Sequence, residues 1–438
     1  MHGAYTATMT SADRSPAALR ARLFSQLLPE AVEIVDRILT AAGSQHVYAV
    51  GGVVRDLLLG RPIIDTDLVV EGDAIEIVTR ALPGMKATTH QRFRTATIAA
   101  DHTSIDVVTA RSETYARPGA LPAVRRAGIT QDLQRRDFSI NAIALRLDGE
   151  AELVDPCRGV ADLDAGQVRV LHARSFADDA TRIFRAFRYS ARLRFVIEPE
   201  TARLLRERLP FIATISGARM RREVELMLLE RDAGHALEAA AGSGALVALH
   251  PALSWDGEKS EAYGHATTPV VPRVPFGFAL LASGATPEEA TGISERLRLR
   301  RSEDRAVRAI AAMGGLDATL RLPHAKPSGV VVLLEKYPAA AVAAYSATAR
   351  DAIARQLALR YLEEWRHVKS RLRGDDLAAL GVPTGPQIER GLQLIRAAKL
   401  DGWANDEGDE RALALRFVKS IRDSRAARGG ITLHPNGH

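Results

Sequence analysis

Two carboxylates stand two residues apart in the run I-I-D-T-D-L-V-V, at Asp65 and Asp67. The apolar flanks predict a strand over Ile63–Val70, and side chains at i and i+2 leave a strand on the same face. Unpaired carboxylates so placed repel, and one is forced toward its neutral form. A hard divalent cation removes the conflict, and Mg²⁺ typically takes one or two carboxylates together with phosphate oxygens of a substrate. Just upstream, the apolar strand Val47–Val50 ends at Gly51 and Gly52, where the lack of a Cβ lets backbone approach a ligand closely. A helix over Val53–Leu59, closed by Gly60, carries Arg55 in its first turn, so the arginine fork and the free N–H groups of the helix start can face one anion. Taken singly, D-x-D is equally a solvated strand end and the glycine pair a plain turn. Taken together, they describe a nucleoside triphosphate site.

Three further groups could do chemistry. Asp106, in S-I-D-V-V-T-A, sits between β-branched neighbours, where a charge is costly unless paired or metal-bound, although a structural ion pair would serve as well. The run R-R-D-F-S-I-N-A holds Arg135, Arg136, Asp137 and Asn141. In F-A-D-D-A-T-R-I-F-R-A-F-R, a helix over Phe176–Phe195 sets Asp179 and Arg182 as i,i+3 neighbours, with Arg185 and Arg188 one and two turns on. An Asp–Arg pair on a helix face is either a surface ion pair or a recognition pair.

The combination of G-G-V-V-R-D with D-T-D, of R-R-D-F-S-I-N-A and of D-D-A-T-R resembles the signatures of the DNA polymerase β nucleotidyltransferase superfamily, in the class II form shared by tRNA nucleotidyltransferases (CCA-adding enzymes) and bacterial poly(A) polymerases. The resemblance implies an α+β head built on a polymerase β-like nucleotidyltransferase sheet, followed by an all-α neck, body and tail. The corresponding segments are a disordered start over 1–17, a head over 18–160, a neck over 161–254, a body over 255–370 and a tRNA-binding tail over 371–438. It further implies that Asp65 and Asp67 bind Mg²⁺, with Asp106 as third catalytic carboxylate. Gly51, Gly52, Arg55, Arg135, Arg136, Asp137 and Asn141 are expected to line the nucleotide site. Asp179 and Arg182 match the family's amino-acid template for the incoming base, and Arg185 and Arg188 its phosphate-facing arginines. The implied activity is template-independent addition of CCA to the 3′ end of tRNA from CTP and ATP, with release of pyrophosphate. Addition of CC or A alone, poly(A) synthesis and an inactive RNA-binding scaffold are the alternatives. The D-T-D-L-V-V-E-G form and a G-V-P-T-G turn near the C-terminus favour the tRNA enzyme, and retention of Asp65, Asp67 and Asp106 opposes the scaffold.

The chemistry of such a template follows from the pairing edges. Cytosine and adenine each present an amino donor beside a ring-nitrogen acceptor, which a carboxylate and a guanidinium satisfy together. Uracil and guanine present a carbonyl and an N–H there, leaving both protein groups mismatched at a cost of several kcal/mol. One Asp–Arg pair can accept C and A while rejecting U and G.

These residues need elements to hold them. Helical spacing runs from Ala17 to Ala42, closed by Gly43, and again over Asp73–Leu82; Thr95–Ala100 and Ser104–Ala110 read as strands. Arg111–Thr130, with prolines, glycines and no regular period, predicts a long loop, the place where the resembled family carries a flexible loop used in switching from C to A addition. Ser216–Arg231 predicts a basic amphipathic helix, Ala236–Leu253 a helix pair, and Trp255–Pro275 a linker. Arg296, Arg298, Arg300, Arg301 and Arg305 form a basic cluster that suits a solvated helix face or RNA backbone alike. Two helices within Gly374–Leu394 meet at Gly381–Gly385, a tight turn whose N–H groups suit phosphate.

The whole chain, 438 residues, holds material for about two to four domains. Its net charge of +6 comes mostly from arginine, which favours a polyanionic partner, though a GC-rich genome also raises arginine over lysine. No apolar run reaches the roughly 18 residues of a membrane span. Cys157 is the single cysteine, which excludes an internal disulfide and, with no secretory pattern at the N-terminus, leads to the expectation of a cytoplasmic protein without membrane or protein partner.

Overall fold

The structure, a computed structural model, describes residues 13–100, 103–265, 271–321 and 326–429. The chain forms two compact units, Met1–Pro251 and Ala252–His438.

The first unit opens with two helices, α1 (Pro16–Gln26) and α2 (Pro29–Ala42). The sequence predicts one helix here. Pro29 breaks it, because a residue before proline is driven to extended backbone, and Leu28 sits at ψ 151°. Of the segment expected to be disordered, residues 1–12 lie outside the described residues, and Ser15 caps α1 through a bond from the Ala18 N–H.

Next come β1 (Val47–Val50), α3 (Gly52–Leu58), β2 (Thr66–Val70), α4 (Ala74–Ala81), β3 (Ala87–His90), β4 (Thr95–Ala100) and β5 (Thr103–Thr109). A hairpin of β6 (Arg111–Thr114) and β7 (Ala123–Arg126) leads to α5 (Ile129–Gln134), then β8 (Ala144–Arg146) and β9 (Leu153–Val154). Seven strands form one sheet in the order β3-β4-β5-β2-β1-β8-β9. Only β2 and β5 run parallel in it, with Asp67 opposite Asp106. All of β1 is buried, which explains its unbroken apolar run. One face of the sheet packs Tyr48, Val50 and Val69 with Ala110, Ile129, Leu133 and Ala144, so the chemistry-bearing loops stand on a dry base.

The stretch 111–130 is therefore no continuous loop. The ribbon β6–β7 pairs Arg111 with Arg126 and Thr114 with Ala123. Its side chains, R-S-E-T against A-V-R-R, lack the alternation of apolar and polar types that marks a half-buried strand, so the sequence hides it. Residues 115–122 and 127–128 remain irregular.

Beyond the sheet lie α6 (Gly159–Asp164), a short parallel ribbon of β10 (Gln167–Val168) and β11 (Val196–Ile197), and the helices α7 (Ser175–Asp178), α8 (Thr181–Leu193), α9 (Pro199–Arg208), α10 (Gly217–Leu229), α11 (Ala233–Gly242) and α12 (Ala245–Leu249). The single helix expected over 176–195 is broken at Asp179, which is extended at φ −145°, ψ 98°. Its carboxylate accepts from the Thr181 N–H (3.0 Å) and hydroxyl (2.7 Å), the local bonding by which aspartate competes with helix continuation.

Among its described residues the second unit contains helices and no strand. The expected linker, as far as it is described, carries helices Gly257–His265 and Arg273–Leu281; residues 266–270 lie outside the described residues. Trp255, Tyr263 and Phe276 are buried there, Tyr263 stacking on Phe276 at 5.6 Å, an aromatic core hidden among Gly, Pro and Thr. Near the C-terminus, Gly374–Ala379 and Pro386–Leu400 flank the predicted turn, with Gly381 and Gly385 at φ +98° and +99°. With the helix Glu407–Gly429 and the flanking Leu372 and Val382, they build a core that includes Leu377, Ile395, Ala414 and Val418. Among the described residues no single helix is long and apolar enough to cross a membrane.

Candidate active site

A cavity of about 310 Å³ opens within the first unit, where the sheet meets α8. Its floor begins at Gly51, at φ +72°, ψ −126°, whose N–H donates to the Ile143 carbonyl at 3.2 Å. A Cβ there would come within 2.7 Å of Arg136 Nη1. Glycine thus serves both the turn and the guanidinium lying against it.

Asp67 lies on β2 at this floor. Register partners on neighbouring strands face the same way, so Asp67 and Asp106 stand side by side about 4.8 Å apart. The Thr97 hydroxyl donates to Asp106 Oδ1 at 2.6 Å. Burial pushes the Asp67 carboxyl above the usual carboxylate range; Arg136 opposes this, and Asp106 and Asp65 add to it. Asp65 is exposed and precedes β2, which starts at Thr66 rather than Ile63: β5 pairs only from Thr66 onward. Among the described residues no group of three or more carboxylate, imidazole or thiol side chains could by itself hold a metal ion. The destabilised charge on Asp67, beside two more carboxylates, fits an open site in which a hard divalent cation draws its remaining ligands from substrate.

Opposite the carboxylates is a wall of guanidinium groups. Asp132, buried on α5, accepts from Arg135 (2.7 Å) and Arg136 (3.1 Å); burial raises its carboxyl, but the two arginines hold it below the usual range. Arg135 also reaches Glu113 on β6 at 2.9 Å, and the Tyr115 hydroxyl donates to the same carboxylate at 2.9 Å. Asp137 accepts from Arg185 Nε at 2.8 Å and from Asn141 Nδ2 at 3.0 Å. Burial works against ionised Asp137, yet Arg185 and Asn141 together hold its carboxyl far below the usual range. Asn141 in turn accepts from Arg55 at 2.7 Å, so a buried relay Arg55–Asn141–Asp137–Arg185 ties α3 to α8.

The cavity brings together Gly51, Gly52, Asp67, Arg135, Arg136, Asp137, Asn141, Asp179, Arg182 and Arg185 of the sequence-predicted residues. Arg55 is not aimed into it: the side chain is buried, with Asp56 and Asn141 holding its nitrogens. Arg188 is likewise buried, 3.6 Å from Glu223 and 3.8 Å from Glu230. Asp65 and Asp106 stand outside the lining. Asp179 and Arg182 are both at the cavity but are not bonded to each other. Arg182 donates to Ser175 Oγ (2.7 Å) and to the Arg135 carbonyl (2.9 Å), whereas Asp179 pairs with Arg219 of α10 at 2.7 Å.

Sequence reasoning passes over Glu113, Tyr115, Asp132, Tyr189 and Arg219. Glu113 stands on β6 and Tyr115 just past its end, a proximity visible once β6 is read as a strand. Tyr189 packs edge-on to Phe138 at 5.8 Å under the guanidinium groups of Arg55, Arg185, Arg188 and Arg192, all within 6 Å of its ring. Arg219 stands in the basic helix predicted over Ser216–Arg231, but nothing local marks its partner, Asp179, which is distant in the chain.

Two family models match the chain: the Poly A polymerase head domain over residues 47–169 and the probable RNA and SrmB-binding site of polymerase A over 194–256. The CC-adding tRNA nucleotidyltransferase of Deinococcus radiodurans is 35% identical over 287 residues, covering 64% of this chain and 74% of that protein. The chain belongs to the tRNA nucleotidyltransferase family. The A-adding tRNA nucleotidyltransferase of Geobacter sulfurreducens is 32% identical over 91% of this chain and 48% of its own length, and the chain spans about half the length of such A-adding relatives. The solved Thermotoga maritima CCA-adding enzyme complexed with tRNA superposes with a TM-score of 0.74 at 29% identity, covering 92% of this chain and 98% of that one. Nucleotidyltransferases of this family are generally metal-dependent.

Proposed function

We propose that this tRNA nucleotidyltransferase adds CCA to the 3′ end of tRNA from CTP and ATP, without a nucleic-acid template and with release of pyrophosphate. The observation that carries the reading is the two-walled cavity, in which Asp67 of β2, with Asp106 of β5 beside it, faces arginines on α8 and after α5. Such a cavity orients a triphosphate: anionic oxygens to the guanidinium wall, the reacting phosphorus toward the carboxylates. Asp65 and Asp67 would hold Mg²⁺, with Asp106 beside them. A divalent cation bound there would supply charge neutralisation for the triphosphate and a lowered pKa for the attacking 3′-hydroxyl. Arg135, Arg136 and Arg185 hold phosphate, and Asn141 and Arg55 keep Asp137 and Arg185 in place. Arg182 keeps a second N–H on each terminal nitrogen for a ring-nitrogen acceptor, and Asp179 supplies the acceptor for the amino group.

RNA binding is supported by the second unit. A groove of about 820 Å³ there is lined by Arg366, Lys369, Arg371, Arg373 and Arg396, with Glu389 as the acidic member. Arg366 Nη1 is buried without a hydrogen-bond partner, a donor that a phosphate oxygen would satisfy. The division into head, neck, body and tail and a cytoplasmic location belong to the same reading. The similarity of the Geobacter sulfurreducens protein across 91% of the chain favours one second reading, addition of A alone.

Purified protein incubated with each nucleotide and three tRNAs, lacking CCA, ending in CC, or complete, tests both. CCA addition gives CMP incorporation on the first and AMP on the second. AMP on the second with no CMP on the first establishes A addition alone. Long A tails on the complete tRNA would mean poly(A) synthesis, and no incorporation anywhere refutes the reading.

A further inference from the structure

The geometry points to Arg219 as a positioning residue that sets which bases are accepted. This rests on the reading of Asp179 as the acceptor for the base's amino group. Asp179 lies in extended backbone at the junction of α7 and α8, so no helix fixes the direction of its side chain. Thr181 holds Oδ1 with its N–H and hydroxyl, and Oδ2 is held by Arg219 Nη2 at 2.7 Å. Arg219 stands in the first turn of α10, which packs on α8. The neighbouring arginines of α10 point elsewhere, with Arg221 donating to Glu225 at 3.1 Å and Arg222 standing 3.7 Å from it. Three of the roughly four acceptor positions of the carboxylate are therefore committed, and one remains, on the oxygen that Arg219 fixes. With that anchor, Asp179 offers a single acceptor in one direction. Without it, the carboxylate turns about its own torsions, and the space beside it admits water, whose O–H can satisfy the carbonyl of guanine or uracil. The base reader is thus a triad of Asp179, Arg182 and Arg219, the first two lying between the two matched segments and the third within the second.

The test compares kcat/KM for ATP and GTP on a tRNA ending in CC. Arg219→Ala should lower the preference for ATP over GTP by about tenfold, the lower end of what one charge-assisted hydrogen bond is worth. Arg219→Lys, which keeps the charge, should bring the preference back to within about threefold of the original. An unchanged preference in Arg219→Ala, or an equal fall with both nucleotides, overturns the role, since a merely structural residue moves rate or stability without moving the ratio. If Arg219→Ala melts early, Arg219→Gln gives the same ratio in a chain of near-native side-chain length. Wild-type protein that adds no nucleotide overturns the proposed function and this role with it; wild-type addition with an unmoved ratio overturns this role alone.

Discussion

Gly51 and Gly52 are adjacent, both line the cavity, and should respond to the same substitution in opposite ways. Gly51 holds φ +72°, ψ −126°, a region that residues with a Cβ enter at about 1–3 kcal/mol. The added methyl would also stand 2.7 Å from Arg136 Nη1. The flexible guanidinium can move aside, but only by leaving Asp132 and the neighbourhood of Asp67. Gly51→Ala should therefore lower the melting temperature by roughly 2–12 °C, at about 2–4 °C per kcal/mol for a unit of this size, and raise the KM for ATP and CTP. At Gly52 the backbone is ordinary helix and the nearest atom to a Cβ is Arg55 Nη2 at 3.6 Å. Gly52→Ala should melt within about 2 °C of wild type or slightly higher, since Ala favours helix by about 0.5–1 kcal/mol, while its methyl projects where phosphate must approach and KM rises. Calorimetry with steady-state kinetics on both variants decides. A Gly51→Ala protein that melts and binds nucleotide like wild type, or a Gly52→Ala protein that loses stability, refutes this account of the turn.

Asp67→Asn should abolish addition and yet raise the melting temperature in metal-free buffer at neutral pH. A carboxyl raised in the folded state contributes stability below the ordinary carboxylate range and loses it as pH rises through the folded value, so the Asn advantage should grow with pH, and a flat difference would argue against the charge conflict. Asp137→Ala should cost roughly 2–4 kcal/mol in denaturant titrations at pH 7 by leaving Arg185 unpaired. With the Asp137 carboxyl depressed, that difference is full above about pH 4 and narrows as pH falls toward the folded value. Replacing Lys369, Arg371 and Arg373 with Gln should weaken tRNA binding and flatten its salt dependence by about 0.9 in log–log slope for each phosphate no longer neutralised, with an unchanged slope placing RNA elsewhere.

The sequence carries its clearest signals where one physical demand dominates. Val47–Val50 is apolar because both faces of β1 are covered, and Gly51 because no other residue suits its backbone. The structure agrees with both assignments, and with the strands at Thr95 and Ser104. Signals fade where local and tertiary demands compete. The L-P-E step at Leu28 breaks a helix despite continuous apolar spacing. The ribbon at Arg111 is held by its ladder and by Glu113 bridging Arg111 and Arg135, with no apolar pattern to advertise it. Asp179 and Arg182 have the spacing of helix neighbours, but Thr181 recruits the aspartate into a turn, and the partner that matters comes from α10. Pairings of that kind are written in the fold and in no short window of sequence.

The relay through Arg55, Asn141, Asp137 and Arg185, with Arg182 bonded to the carbonyl of Arg135, bears on how such a protein can be inherited. The match to the head family ends at residue 169, yet two of these bonds cross that line, Arg185 donating back to Asp137 and Arg182 to the Arg135 carbonyl. A recombination event joining a foreign head to this chain there would strand a buried aspartate on one side and a buried arginine on the other. Segments exchanged successfully between relatives should instead break near Pro251, where the first unit ends, and carry catalytic carboxylates and base reader as a single heritable block.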